Sequence, residues 1–156
     1  MSVEPDSLTA LARLLRTERI AHLATLRQDA PMASMTLYLP DLGFTALHVH
    51  VSRLAWHTQD MAQDGRVALS IAEADDGRAD PFTLQRVSIR GNAEQLGGEQ
   101  PELQRQWLTC FPEQAINFEL ADFSFWRIAP REARFVAGFG RIHNLSAAEL
   151  AACSNS

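Results

Sequence analysis

The chain has 156 residues, a hydrophobic fraction of 46% and a net charge of -5. That length suits one domain with a sizeable core. The acidic balance excludes general nucleic-acid binding, which needs a basic footprint. Two isolated cysteines, Cys110 and Cys153, are too few for a disulfide framework or a zinc site. No apolar run approaches the ~20 residues of a membrane span, and the first residues lack the layout of a signal peptide. The expectation is a soluble, cytoplasmic protein, a single domain over residues 1–156, with no membrane or nucleic-acid partner.

In chain order, Ser7 can cap a first helix in which Leu8, Leu11, Leu14 and Leu15 recur at helical spacing. Residues 20–26, IAHLATL, switch to strand character, and RQDAP is a turn. PMASMTLYL, 31–39, predicts a second strand, and PDLG a turn. FTALHVHV, 44–51, predicts a third, with Leu47, Val49 and Val51 on one face and His48 and His50 on the other. A helix follows and ends at Asp64–Gly65. RVALSIA is a fourth strand, and the acidic EADDGRADP an exposed loop. Residues 83–96 predict a bent strand with Gly91 at the bend. PELQRQWLTCF opens on proline, a good first helical residue, and puts Leu103, Trp107, Leu108 and Phe111 on one face. DFSFWRIA and REARFVAGF predict two more strands joined at Ala129–Pro130. Ser146 and Glu149 make a capping box for a short last helix. The sum is mainly antiparallel β with a few helices. A closed barrel is one option beside sandwiches and α+β sheets.

The chemistry concentrates where the third strand hands over to the helix, in LHVHVSRLAWHTQDM. Helix starts carry unpaired N–H groups and favour anions. Ser52 can cap the helix or donate to a phosphate, and Arg53 offers a fork of donors. His57 and Thr58 lean back toward the same spot. The alternative is an ordinary cap with a surface arginine and a packed histidine. His48 and His50 have a spacing that suits metal ligands, but no third ligand has an obvious place, so no metal is expected. Arg86 and Arg90 are strand arginines, either facing an anion or turned to solvent. GFGRIH, 138–143, permits a tight turn, and Arg141 and His143 in it can hold a carboxylate or phosphate. No nucleophile–base–acid set stands out.

Four stretches carry a resemblance: RIAHLATLRQDAPMASMTLY, VSRLAWHTQDMAQDGRVALSI, DPFTLQRVSIRGNAEQL and DFSFWRIAPREARFVAGFGRIH. Together and in this order they resemble the pyridoxamine 5'-phosphate oxidase-like family of FMN-binding split barrels, nearest its haem-utilisation branch. The resemblance implies a six-stranded antiparallel split β-barrel of Greek-key type with a few peripheral helices. It implies a homodimer with flavin mononucleotide (FMN) at the interface and a small-molecule substrate. Ser34 and Met35 match the strand beside the flavin. Ser52 and Arg53 match the phosphate-binding Ser-Arg, His57 and Thr58 the "HT" of this branch, and Arg86 a strand position facing the flavin. Arg141 and His143 match groups on the substrate side.

The chain also departs from the oxidases. Leu54 replaces a second basic residue, Ser34 replaces an arginine, and Phe123 falls where a tryptophan stands. The resemblance therefore implies a flavin-dependent oxidoreductase of unknown substrate. The rival is a haem-binding or haem-degrading protein on the same barrel, with His22, His48, His50, His57 and His143 as possible axial ligands. A third reading is a non-catalytic flavin-binding module.

Overall fold

The computed structural model describes residues 3–138 and 140–156. Phe139, which ends the last predicted strand and lies inside GFGRIH, is outside the described residues. The first helix, α1 (Pro5–Thr17), starts on a proline whose fixed φ suits that place. Its N-cap residue is Glu4, not Ser7. Ser7 lies inside the helix and is fully buried. Leu11, Leu14 and Leu15 face the core at helical spacing, as the pattern predicts. The Tyr38 hydroxyl closes the helix end by donating to the Leu15 carbonyl at 2.9 Å.

Strands β1 (Ile20–Arg27) and β2 (Ala30–Leu37) form a hairpin with a two-residue turn. Gln28 and Asp29 both take positive φ, 52° and 64°, which matches the right-handed twist of the flanking strands. A two-residue strand, β3 (Leu39–Pro40), pairs with β4 (Leu47–Ser52). The third predicted strand is thus shorter than expected: the Asp41 carboxylate accepts from the Thr45 and Ala46 N–H groups, bending the chain before Leu47. Helix α2 (Trp56–Gln63) and β5 (Arg66–Ala72) follow.

Strand β6 (Arg86–Gln95) shifts register between Arg90 and Gly91. Gly91 is needed there, because a Cβ would lie 2.5 Å from the Ala129 carbonyl oxygen. Opposite the bulge runs β7 (Phe123–Val136). This corrects the expectation of two strands joined at Ala129–Pro130. Pro130, which has no N–H to donate, sits across from Gly91 at the irregularity and does not break the strand. The excursion between β6 and β7 holds α3 (Pro101–Cys110) and a 3₁₀ segment (Pro112–Phe118). Beyond β7, β8 (Ile142–Ser146) pairs back on it, and α4 (Ala147–Ala152) carries the predicted capping box.

The sheet order is β2-β1-β5-β6-β7-β4-β3, with β8 on β7, and every pairing is antiparallel. The architecture is a mainly antiparallel β split barrel with a few helices. Among the described residues it has seven strands of five residues or more plus β3, not six. β8 escaped the sequence reading because it is short and alternates weakly. The main core lies inside the curl, under α1 and α4, and includes Leu23, Val49, Leu69, Ile89, Ile128 and Phe135. A second core of Trp107, Phe111 and Phe125 lies under α3.

Candidate functional site

The strand-to-helix junction is built differently from the sequence expectation. β4 ends at Ser52, but α2 begins only at Trp56, with Ala55 at the N-cap and no side-chain cap. Ser52 therefore does not cap the helix. Its hydroxyl accepts from the Leu54 N–H at 3.1 Å and donates to the Asp122 carboxylate at 2.6 Å. The Arg53 N–H also donates to the Asp122 carbonyl, at 2.8 Å. Asp122 enters because β4 pairs with β7, which puts Ser52 opposite Phe123. Arg53 and Leu54 are exposed. The Arg53 side chain makes no ion pair among the described residues, and the Asp122 carboxylate is taken by the Ser52 hydroxyl.

His57 faces β2. Its Nδ1 lies 3.1 Å from the Ser34 hydroxyl. Burial pushes the imidazole below its ordinary pKa, with the Asp60 charge opposing that shift. His57 is thus a neutral ring held through Nδ1, and its Nε2 keeps contact with solvent. Thr58 is only 5% exposed, and its hydroxyl has no partner among the described residues. The four groups expected on one anion are therefore divided: Ser52 is bonded to Asp122, His57 to Ser34, Thr58 is buried, and Arg53 is open.

Asp60 explains how α2 is held, and the sequence reading missed it. Its carboxylate is 3% exposed. It accepts from the Thr25 hydroxyl and from Arg27 Nη1, both at 2.7 Å. The Arg27 guanidinium also lies over the Trp56 ring at 4.0 Å. This clamp ties the first turn of α2 to β1 and so sets the position of His57. An aspartate inside a helix pattern gives no sign of a partner on a strand 33 residues away.

The remaining candidates lie apart. Met35 is 60% exposed on β2, across from the exposed His22 on β1. Arg86 donates to the carbonyls of Phe82 and Leu84, both at 2.9 Å, and is committed to that loop. Arg90 is turned to solvent and pairs with Glu132. Arg141 and His143 do come together, but on α1. Both lie at hydrogen-bonding distance from the Ser7 hydroxyl, 2.9 and 3.0 Å, and Arg141 also meets Glu4 at 3.2 Å. His48 is buried between β3 and β7, and His50 is half-buried among aromatic rings. No group of three metal-ligating side chains occurs among the described residues, and no helix there is long and apolar enough to cross a membrane.

A curled antiparallel sheet with a polar strand-to-helix junction on its flank defines the split-barrel class, whose fold holds flavin in some members and haem in others. Residues 8–137 match the family model described as pyridoxamine 5'-phosphate oxidase, and the chain belongs to that family. It is 30% identical over 109 residues, 69% of its length, to the chloroplastic heme oxygenase HOZ of Arabidopsis thaliana, and spans 32% of that protein. A heme binding protein from Mycobacterium smegmatis superposes with a TM-score of 0.83 at 28% identity, over 96% of this chain and 62% of the other. A FAD-binding protein from Mesorhizobium loti gives 0.60 at 22% identity, over 78% and 85%, a likeness of fold. The chain thus spans about a third of the curated relative it matches.

Proposed function

We propose that this chain is a haem-binding split-barrel protein, with the strand-to-helix junction as part of its ligand site. The observation that carries the reading is the Asp122 carboxylate on Ser52. A flavin mononucleotide phosphate carries close to two negative charges and needs cations around it. Here the Ser52 hydroxyl is committed to a carboxylate, Leu54 stands where a second cation is expected, and His57 is neutral, which leaves the exposed Arg53 as the one cation of the Ser-Arg position. As it stands, this junction does not fit a phosphate dianion.

The same residues fit haem better. An iron ligand should be a neutral imidazole fixed through its other ring nitrogen. His57 meets that requirement, with Nδ1 on Ser34 and Nε2 free. Of the other histidines, His48 is buried, His50 is packed among rings, His143 is held at Nε2 by Ser7, and His22 has no supporting group. Arg53 would pair with a carboxylate at the ligand edge. Bound haem would supply the iron redox chemistry, while these side chains hold and orient it. Two relatives whose names specify heme, at 30% and 28% identity, support the reading.

The test is a titration of the purified chain with haemin, followed in the visible spectrum. A shifted Soret band that weakens in His57→Ala supports the assignment. Flavin binding with no Soret shift removes it. A second reading, an FMN-dependent oxidoreductase, is favoured by the uncommitted Arg53 guanidinium on the family's Ser-Arg position. In that reading Ser34, Met35, Ser52, Arg53, His57, Thr58 and Arg86 line the flavin, and Arg141 and His143 the substrate side. In either reading we propose a homodimer formed through the outer face of β1 and β2, where Ile20 and Met35 are 45% and 60% exposed.

A further inference from the structure

The excursion between β6 and β7 folds over the outer face of β4 and leaves a cleft of about 330 Å³. That volume is at the small end of the ~300–1,000 Å³ range of ligand pockets. It takes one or two fused rings and is too small for a macrocycle. His50, Phe118, Phe123 and Phe125 line it, with Gln104 and Glu99 among the polar residues on the α3 side.

His50 is the unusual member. Its ring stacks on Phe118 at 4.1 Å and lies 4.5 Å from Phe125 and 5.4 Å from Phe123. A phenylalanine would pack here equally well. The imidazole instead leaves Nδ1 buried with no hydrogen-bond partner among the described residues. An unsatisfied buried nitrogen costs stability, so packing alone does not account for it. Nε2 also has no partner among the described residues, but it is not sealed. It is therefore the polar atom this aromatic cluster presents to a visitor. Burial lowers the His50 pKa to about 4, so the ring is neutral at neutral pH.

We infer that this cleft binds a small, neutral aromatic molecule through a hydroxyl group set against His50 Nε2. The aromatic walls select a flat ring. A hydroxyl both donates and accepts, so it serves either tautomer of the imidazole. The Glu99 carboxylate beside the cleft disfavours an anionic ligand. The Gln104 amide, which makes no side-chain hydrogen bond among the described residues, can meet a second polar substituent. None of this rests on the haem reading, since the residues differ from those of the junction.

The experiment titrates the full chain, free of haem and flavin, with 2-naphthol and separately with naphthalene. Ring signals of the histidines are followed by NMR. The expected result is a saturable shift of the His50 signal with 2-naphthol. In His50→Phe, which keeps the ring packing, naphthol affinity falls about tenfold, the factor that one net hydrogen bond supplies, while naphthalene affinity is unchanged. No saturable shift at His50 overturns the proposal. So does equal naphthol affinity in the two proteins, or a loss shared equally by naphthalene. A melting temperature of His50→Phe at or above that of the wild type shows that the variant is folded.

Discussion

The Ser52 hydroxyl donates to the Asp122 carboxylate at 2.6 Å, across 70 residues of sequence. This bond brings a carboxylate to the junction. It commits the serine of the Ser-Arg pair to a carboxylate. Asp122→Asn keeps an acceptor for Ser52 and removes the charge. FMN affinity should rise by about tenfold, equivalent to ~1.4 kcal/mol. Adding Leu54→Lys should raise it further. Flavin fluorescence titration measures both, and unchanged affinity in Asp122→Asn would show that the carboxylate does not set ligand choice.

The Asp60 clamp gives a stability prediction. Asp60→Ala leaves Arg27 and Thr25 without their partner, and breaking such a buried pair costs about 3 kcal/mol. Thr25→Val removes one hydrogen bond and should cost about 1 kcal/mol. Urea denaturation of the two variants should therefore separate them clearly. Asp60→Ala should also weaken ligand binding at His57, because the first turn of α2 loses its anchor.

The bulge at Gly91 predicts a second loss. A methyl group there meets the Ala129 carbonyl at 2.5 Å, and backbone on both strands must shift. Gly91→Ala should destabilise by about 2 kcal/mol. A midpoint in urea equal to that of the wild type would mean that β6 and β7 can part at no cost.

His50 sets an acid limb on stability. Its folded pKa is depressed from 6.5 to about 4 by burial, so between these values the unfolded chain binds a proton that the folded chain does not. Stability must then fall as pH drops from about 6.5 toward about 4. His48 is shifted the same way, first by burial and then by Arg127, and His57 by burial. They share the limb. His50→Phe should flatten it without removing it, as followed by thermal melts across this pH range. An unchanged slope would contradict a neutral His50 in the fold.

The proposed homodimer is tested by light scattering at micromolar concentration. The wild type should show the mass of two chains, and Met35→Glu that of one, because a charge would be buried against an apolar face. A monomeric wild type would contradict the interface.

Much of the fold was legible locally. Period-2 and period-3.6 patterns placed α1, β1, β2, β5, β6, α3 and α4 close to their observed positions, because hydrophobic alternation and turn chemistry act over a few residues. Gly91 was legible as a bend for the same reason. The continuity of β7 through Pro130 was not, since a proline reads as a break unless the bulge facing it is known. The family was legible too, from the serial order of four short stretches that are each weak alone.

The site was legible as residue types and not as partnerships. Ser52, Arg53 and His57 were correctly seen as polar groups near a helix start. Their bonding depended on strand pairing, which puts β4 beside β7 and so Asp122 beside Ser52. The Ser7–Arg141 contact spans 134 residues, and Ser34–His57 spans 23. Residue chemistry and local periodicity are properties of neighbours in the chain, and they define the family and its elements. The partners of Ser52, His57 and Arg141 are properties of neighbours in space. They exist only once the sheet has brought distant segments together.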